Sequence, residues 1–389
     1  MAKYLSLPVQ LLLIIAFVFI FGGFVNETVI RGLYTFSMIF KELLQFFLPF
    51  VIFAFVLSGI LSFKKNAPLI LLILISSILC SNACVAILIY GVGTVLLPLV
   101  TCNVNPTALV ATEQLAPLFS FSLPVLIPAH YALILSASLG IICSFLTVPT
   151  FEHRVEQFKK GIEWFLSKIF ISLLPLYILG FLFKIKYEGT FSTLFEQYGA
   201  TFVLIITLQV LYLVWFYFLA SSFSLARTVK AINNALPSYI TAFTTMSSTA
   251  TIPVSVQAAT KNIHNRSLPL MAMPIMANVH LIGDSIGTPL LALVTMVIFK
   301  GCMPSFFVYI SFIFYFCITM FAVSGIPAGG IVVMMPILQS QLCFTPEMTS
   351  VMFTLYVLLD SFGTAANVMG DGALVIIVDK ILRRLRLID

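Results

Sequence analysis

The sequence predicts an all-α membrane protein of eight transmembrane helices plus two re-entrant helical hairpins, and composition, long apolar runs and the placement of Lys and Arg carry that prediction. Hydrophobic residues make up 61% of the 389 and charged residues 9%, a balance that no soluble domain of this length shows. A hydrocarbon core about 30 Å thick takes roughly 20 apolar residues per helix. The chain supplies such runs near 5–28, 32–62, 67–100, 122–150, 162–186 and 199–226. The first is too long for a secretory h-region and no A-x-A-like site follows it, so it is expected to be a retained span. The formal charge of +6 comes from basic residues scattered between apolar runs. These act as topology signals and form no nucleic-acid surface. The seven cysteines lie in or beside apolar runs without a C-x-x-C pair and are read as packing residues.

Beyond residue 226 the pattern changes. Two segments, 229–261 and 302–343, are apolar at their ends and interrupted in the middle, the first by Thr244 to Pro253 and the second by Ser324 to Gly330. Gly and Pro end helices, and Ser/Thr oxygens compete with the backbone ladder. At membrane depth such breaks need protein or a cavity beside them. Treating both as re-entrant hairpins, with spans 7 and 8 at 268–300 and 347–383, puts roughly fourteen basic residues on one face and four on the other, the bias of a cytoplasmic face. Both termini are then cytoplasmic.

Span 8 carries Asp360, Thr364, Asn367 and Asp371. Their offsets of four, three and four place all of them on one helical face. Carboxylates in a membrane helix are costly and mark a substrate or ion path, the bland alternative being a hydrogen-bond network between helices. Two carboxylates, an amide and a hydroxyl suit a hard cation or an ammonium.

Three motifs carry a resemblance. NVMGD (Asn367 to Asp371) resembles the unwound part of the eighth helix in the dicarboxylate/amino acid:cation symporter family, the glutamate transporter family. MSSTATIP (Met246 to Pro253) and SGIPAGG (Ser324 to Gly330) are similar to its two hairpin tips. Pro274, Ala277, Val279, Leu281 and Gly283 follow the seventh-helix frame, and Phe46 to Ile60 resembles the second helix. The resemblance implies inverted repeats with a midplane site. It also implies a homotrimer in which scaffold helices (1–161 with part of 162–226; spans 1, 2, 4 and 5) hold a mobile transport unit (67–100 and 199–389) that moves as an elevator.

Carried over position by position, the resemblance makes Asp360 the partner of a substrate ammonium, with Thr364 and Asn367 beside it. Ser247, Ser248 and Thr249 at one tip, and the backbone from Ile326 to Gly330 at the other, would hold an α-carboxylate, as free N–H groups at helix N-termini do. Asp371 and Asn367, with carbonyls of Met276 and His280, would form one sodium site. Carbonyls of Met320, Phe321 and Val323, with Asn278 nearby, would form a second. The departures matter as much. Gly363 stands where acidic-substrate members carry the arginine that grips a side-chain carboxylate, and Tyr356 stands where an aspartate braces that arginine. Ile282 replaces the aspartate of a further sodium site, and Asp284 falls where a threonine lines the side-chain pocket. Matching DSIGT (Asp284 to Thr288) to the same motif is the alternative register, and it needs an insertion. His280 is read either as a neutral hydrogen-bonded residue or as a proton carrier replacing the lost cation. His130, His153 and His264 give no metal spacing, and the latter two are expected in cytoplasmic loops.

The resulting expectation is a secondary active transporter in a plasma (bacterial inner) membrane, not an enzyme, with sodium or a proton as coupling ion and no organic cofactor. Its partners are an amino acid, the lipid bilayer and its own trimer mates, with no nucleic acid. A neutral side chain is preferred to a basic one, and both to an acidic one. A glutamate/aspartate or C4-dicarboxylate symporter is the alternative within the class. An intramembrane hydrolase lacks its motifs here, with no G-x-S-x-G and no H-E-x-x-H, and a channel would not exchange substrate.

Overall fold

Apolar runs with no surrounding water must satisfy their backbone internally, and the described residues are mostly helical, with no strands among them. The computed structural model describes residues 7–62, 68–100, 115–119, 121–124, 127, 129–145, 149–189, 191–323 and 328–388. The helices are α1 (Leu7–Phe21), α2 (Glu27–Ser62), α3 (Pro68–Val100), α4 (Ala129–Phe145), α5 (Pro149–Phe165), α6 (Ile171–Tyr187), α7 (Phe191–Ala220), α8 (Leu225–Thr245), α9 (Ser248–Thr260), α10 (Ser267–Val279), α11 (Ile282–Lys300), α12 (Phe306–Thr319), α13 (Gly329–Leu342) and α14 (Pro346–Arg384).

Among the described residues, four stretches are long and apolar enough to cross a membrane: Leu72–Pro98, Tyr198–Ala220, Ser267–Lys300 and Pro346–Arg384. In the last two, 94% and 89% of the apolar window is buried, against 33% and 28% in the first two. The α10–α11 run and α14 therefore form the centre, while α3 and α7 lie at the periphery. Around α11 and α14 pack α3, α7 and the α8–α9 pair, whereas α2 packs against α4, α5 and α6. The two groups of helices meet where α2 touches α13 and the turn Met320–Ala322.

In both interrupted segments two helices pack against each other. The α8–α9 chain reverses at Met246–Ser247, and its far end is closed by Asn234 Nδ2 donating to Asn262 Oδ1 at 2.7 Å. Ser247 caps α9, its hydroxyl accepting from the Ala250 N–H, the role for which serine is favoured. The α12–α13 pair is joined across by Ser311 Oγ donating to Gln341 Oε1 at 2.9 Å. Lys300 Nζ donates to the Leu342 and Cys343 carbonyls, both at 2.9 Å, and so closes the C-terminus of α13. α14 begins with Thr345 as N-cap, Pro346 and Glu347, and ends with Arg383 and Arg384. This order suits the helix dipole.

Three expectations are corrected. First, NVMGD is not unwound: α14 runs unbroken from Pro346 to Arg384. The discontinuity lies at His280–Leu281, between α10 and α11. The glycines of α14 serve close packing, since a Cβ on Gly370 would press on Ile282 at 3.2 Å and one on Gly372 would meet the Tyr217 hydroxyl at 2.5 Å. Second, His153 lies not in a loop but in α5, an amphipathic helix tied to α2 by Ser58 Oγ donating to Glu156 Oε2 at 3.1 Å. Third, in the fourth run residues 121–124 are not helical and α4 starts at Ala129. Pro124 supplies no N–H to a helix there.

Candidate functional site

The break between α10 and α11 leaves carbonyls and N–H groups without helical partners. Asn82 of α3 satisfies both sides, donating to the Val279 carbonyl at 2.8 Å and accepting from the Leu281 N–H at 3.2 Å. Between them His280 is fully buried. Its Nδ1 lies 2.8 Å from Asp371 Oδ1 and its Nε2 lies 3.0 Å from Ser81 Oγ. The Met276 carbonyl accepts from the His280 N–H at 2.8 Å, and Asn278 Nδ2 donates to the Pro274 carbonyl at 3.1 Å. Met320, Phe321 and Val323 form a turn that packs beside α10.

The first turn of α11 faces a narrow cavity. Met246 and Ser248 from one hairpin tip line it, with Val323 and Gly330 from the other, Leu281 and Asp284 from α11, and Tyr356, Asp360, Thr364 and Asn367 from α14. Asn367 holds this wall together. Its Oδ1 accepts from the Gly283 and Asp284 N–H groups at 2.7 and 3.2 Å, and its Nδ2 donates to Asp284 Oδ2 at 2.9 Å. The other Asp284 oxygen accepts from the Tyr356 hydroxyl at 2.6 Å. Asp360 accepts from the Ala328 N–H at 2.7 Å and from Thr364 Oγ1 at 3.1 Å, which fastens the second hairpin tip to α14. Each tip contains a non-glycine residue in the left-handed region, Met246 at φ 49° and Ala328 at φ 59°. Such strain persists where surrounding contacts enforce it.

The structure therefore gathers Ser248, Asp284, Gly330, Asp360, Thr364 and Asn367 in one place. Gly363 sits beside them, its position 3.5 Å from Asp284 Oδ1 for an added Cβ. Ser247 caps the tip, and Thr249 is exposed away from the cavity. Ile326 lies outside the described residues. Asp284 lines the cavity and Thr288 does not, the placement the ungapped register expects. Ile282 is fully buried against α14 and offers no oxygen ligand. Ser81 and Asn82 are site neighbours that the sequence motifs do not single out. A Ser-Asn pair inside the apolar run of α3 was the available signal. Among the described residues no three His, Cys, Asp or Glu side chains come together as a metal cluster.

A broken central helix, two helical hairpins whose tips converge with it on a buried polar cavity, and long apolar helices around them describe a membrane transporter. No curated protein matches the chain. The model of the sodium:dicarboxylate symporter family matches residues 7–381, and the chain belongs to that family.

Proposed function

We propose that this protein carries out cation-coupled symport of an amino acid, with a neutral side chain preferred to a basic one and an acidic one disfavoured. The observation that carries the proposal is the cavity wall, which brings Asp284 and Asp360 together with no Lys or Arg among its described residues. Asp360 would be the partner for an ammonium, and the N-terminal turns of α9 and α13 would offer N–H groups to a carboxylate. A side-chain carboxylate would find no guanidinium at Gly363 and a carboxylate at Asp284. The dicarboxylate reading suggested by the family's name lacks such a partner for its second carboxylate.

Sodium, the family's coupling ion, would be held by the Asp371 carboxylate with carbonyls of Met276 and His280 and with Asn367. A second ion would sit on carbonyls of Met320, Phe321 and Val323 near Asn278. These are the hard oxygen donors that such a cation takes. When bound, the ion would supply the charge compensation that lets buried carboxylates and substrate share the site. A proton is the alternative coupling ion. The proposal includes eight spans in inverted repeats, both termini on the cytoplasmic side of a plasma membrane, and a homotrimer whose scaffold (1–161 with part of 162–226) carries an elevator of 67–100 and 199–389.

The test is uptake into proteoliposomes of serine, alanine, glutamine, arginine, lysine, glutamate and aspartate under imposed sodium or proton gradients. Accumulation of neutral amino acids driven by one of those gradients is expected. Tight, cation-dependent binding of glutamate or aspartate would overturn the reading of Gly363. For Asp371→Asn, substrate affinity at fixed sodium should fall by about 10- to 100-fold with folding intact, since the cation loses its charged ligand. Unchanged sodium dependence in that variant would remove Asp371 from the cation site.

A further inference from the structure

We infer that Asp284 and Tyr356 form a side-chain subsite selective for a short substrate side chain ending in a hydrogen-bond donor, a hydroxyl in the first place. The inference rests on the amino-acid reading of the same cavity. Both Asp284 oxygens are fixed in direction, one by the Tyr356 hydroxyl at 2.6 Å and the other by Asn367 Nδ2 at 2.9 Å. A carboxylate oxygen accepts more than one hydrogen bond, so each retains accepting capacity. Tyr356 contributes no donor to a ligand while its only O–H is given to Asp284. The subsite thus presents acceptors alone.

Its size follows from Gly330. A Cβ there would strike the Tyr356 hydroxyl and lie 3.4 Å from Asp284 Oδ2. The glycine lets the second hairpin tip close directly against the Tyr356 hydroxyl and Asp284, which keeps the subsite small. Tyr356 lies one helical turn before Asp360 on α14. An amino acid whose ammonium pairs with Asp360 therefore extends its side chain toward Asp284. A hydroxyl there donates to the carboxylate. A methyl group leaves that capacity unmet, and a carboxylate opposes it. Sites built to hydrogen-bond a substrate group reject analogues that lack it.

Competition binding to the purified full-length protein, with L-serine, L-alanine, L-2,3-diaminopropionate and L-aspartate, tests the inference. Serine should bind about 10- to 100-fold more tightly than alanine, the range of a hydrogen bond to a charged acceptor. That ratio should shrink toward one in Asp284→Ala and fall in Tyr356→Phe, where the carboxylate loses its fixed direction. A merely structural role would weaken serine and alanine together. Diaminopropionate above serine would make the donor an ammonium, and serine above diaminopropionate makes it a hydroxyl. Equal binding of serine and alanine to the unmodified protein overturns the inference and leaves the amino-acid reading standing. Binding of aspartate alone, or of no amino acid, overturns the amino-acid reading itself. The ratio in the unmodified protein decides the matter even where a variant fails to fold.

Discussion

Asp360→Asn is expected to lower substrate affinity by about 100-fold or more while the second hairpin tip stays attached. The asparagine oxygen can still accept from the Ala328 N–H, which Asp360 accepts at 2.7 Å, so the tether survives. The charge proposed to face a substrate ammonium does not. Removing one partner of a buried ion pair costs about 3–5 kcal/mol, and each 1.4 kcal/mol is about tenfold in affinity. Asp360→Ala should lose more, because the Ala328 N–H is then left buried without an acceptor. Isothermal titration on the detergent-purified protein measures both. Asparagine at 360 binding substrate as the aspartate does would show that the ammonium lies elsewhere.

The largest effect on stability is expected at Gly283. A Cβ at this position would overlap the Gly363 carbonyl oxygen and lie 2.9 Å from Ala366 Cβ. The backbone there cannot move aside freely. Its N–H donates to Asn367 Oδ1 at 2.7 Å, and its carbonyl accepts from Gln209 Nε2 at 3.1 Å. Overpacking a rigid contact costs about 1–3 kcal/mol and sometimes more, and separating α11 from α14 breaks the hydrogen bond to Asn367 as well. Gly283→Ala should therefore unfold at clearly lower temperature in detergent and lose substrate-induced stabilisation. Gly91→Ala, where nothing lies within 4 Å of the added carbon, is the control. Equal melting of the two variants would mean that the α11–α14 crossing is looser than its geometry implies.

Much of the site was legible because its cues are local. The Ser/Thr run of MSSTATIP and the Gly/Pro cluster of SGIPAGG interrupt apolar sequence and announced two hairpins. The spacing of Asp360, Thr364 and Asn367 put them on one face before any fold was known, and all three line the cavity. What was not legible depends on distant partners. The helix break falls at His280–Leu281 because Asn82, some 200 residues earlier, supplies the missing hydrogen bonds. No local pattern in HLIG reports that. The resemblance of NVMGD implies an unwound helix, yet a glycine such as Gly370 that lets two helices touch and a glycine that lets one unwind are the same letter. His153 reads as a loop residue in the sequence because the polar face of α5 dominates the composition around it.

Asn367 has a consequence that reaches beyond the wall it closes. Its amide joins the first turn of α11 to α14 and also holds Asp284, and Asp371, bound to His280, lies one helical turn further along α14. A ligand that draws on Asp284 loads the same amide that anchors the helix end next to His280. Binding at the two ends of this connection then shares a coupling free energy, and linkage makes that energy reciprocal. The factor by which a cation tightens the substrate must equal the factor by which the substrate tightens the cation. Asn367→Ala, which cuts the connection without removing either carboxylate, should bring both factors toward one together.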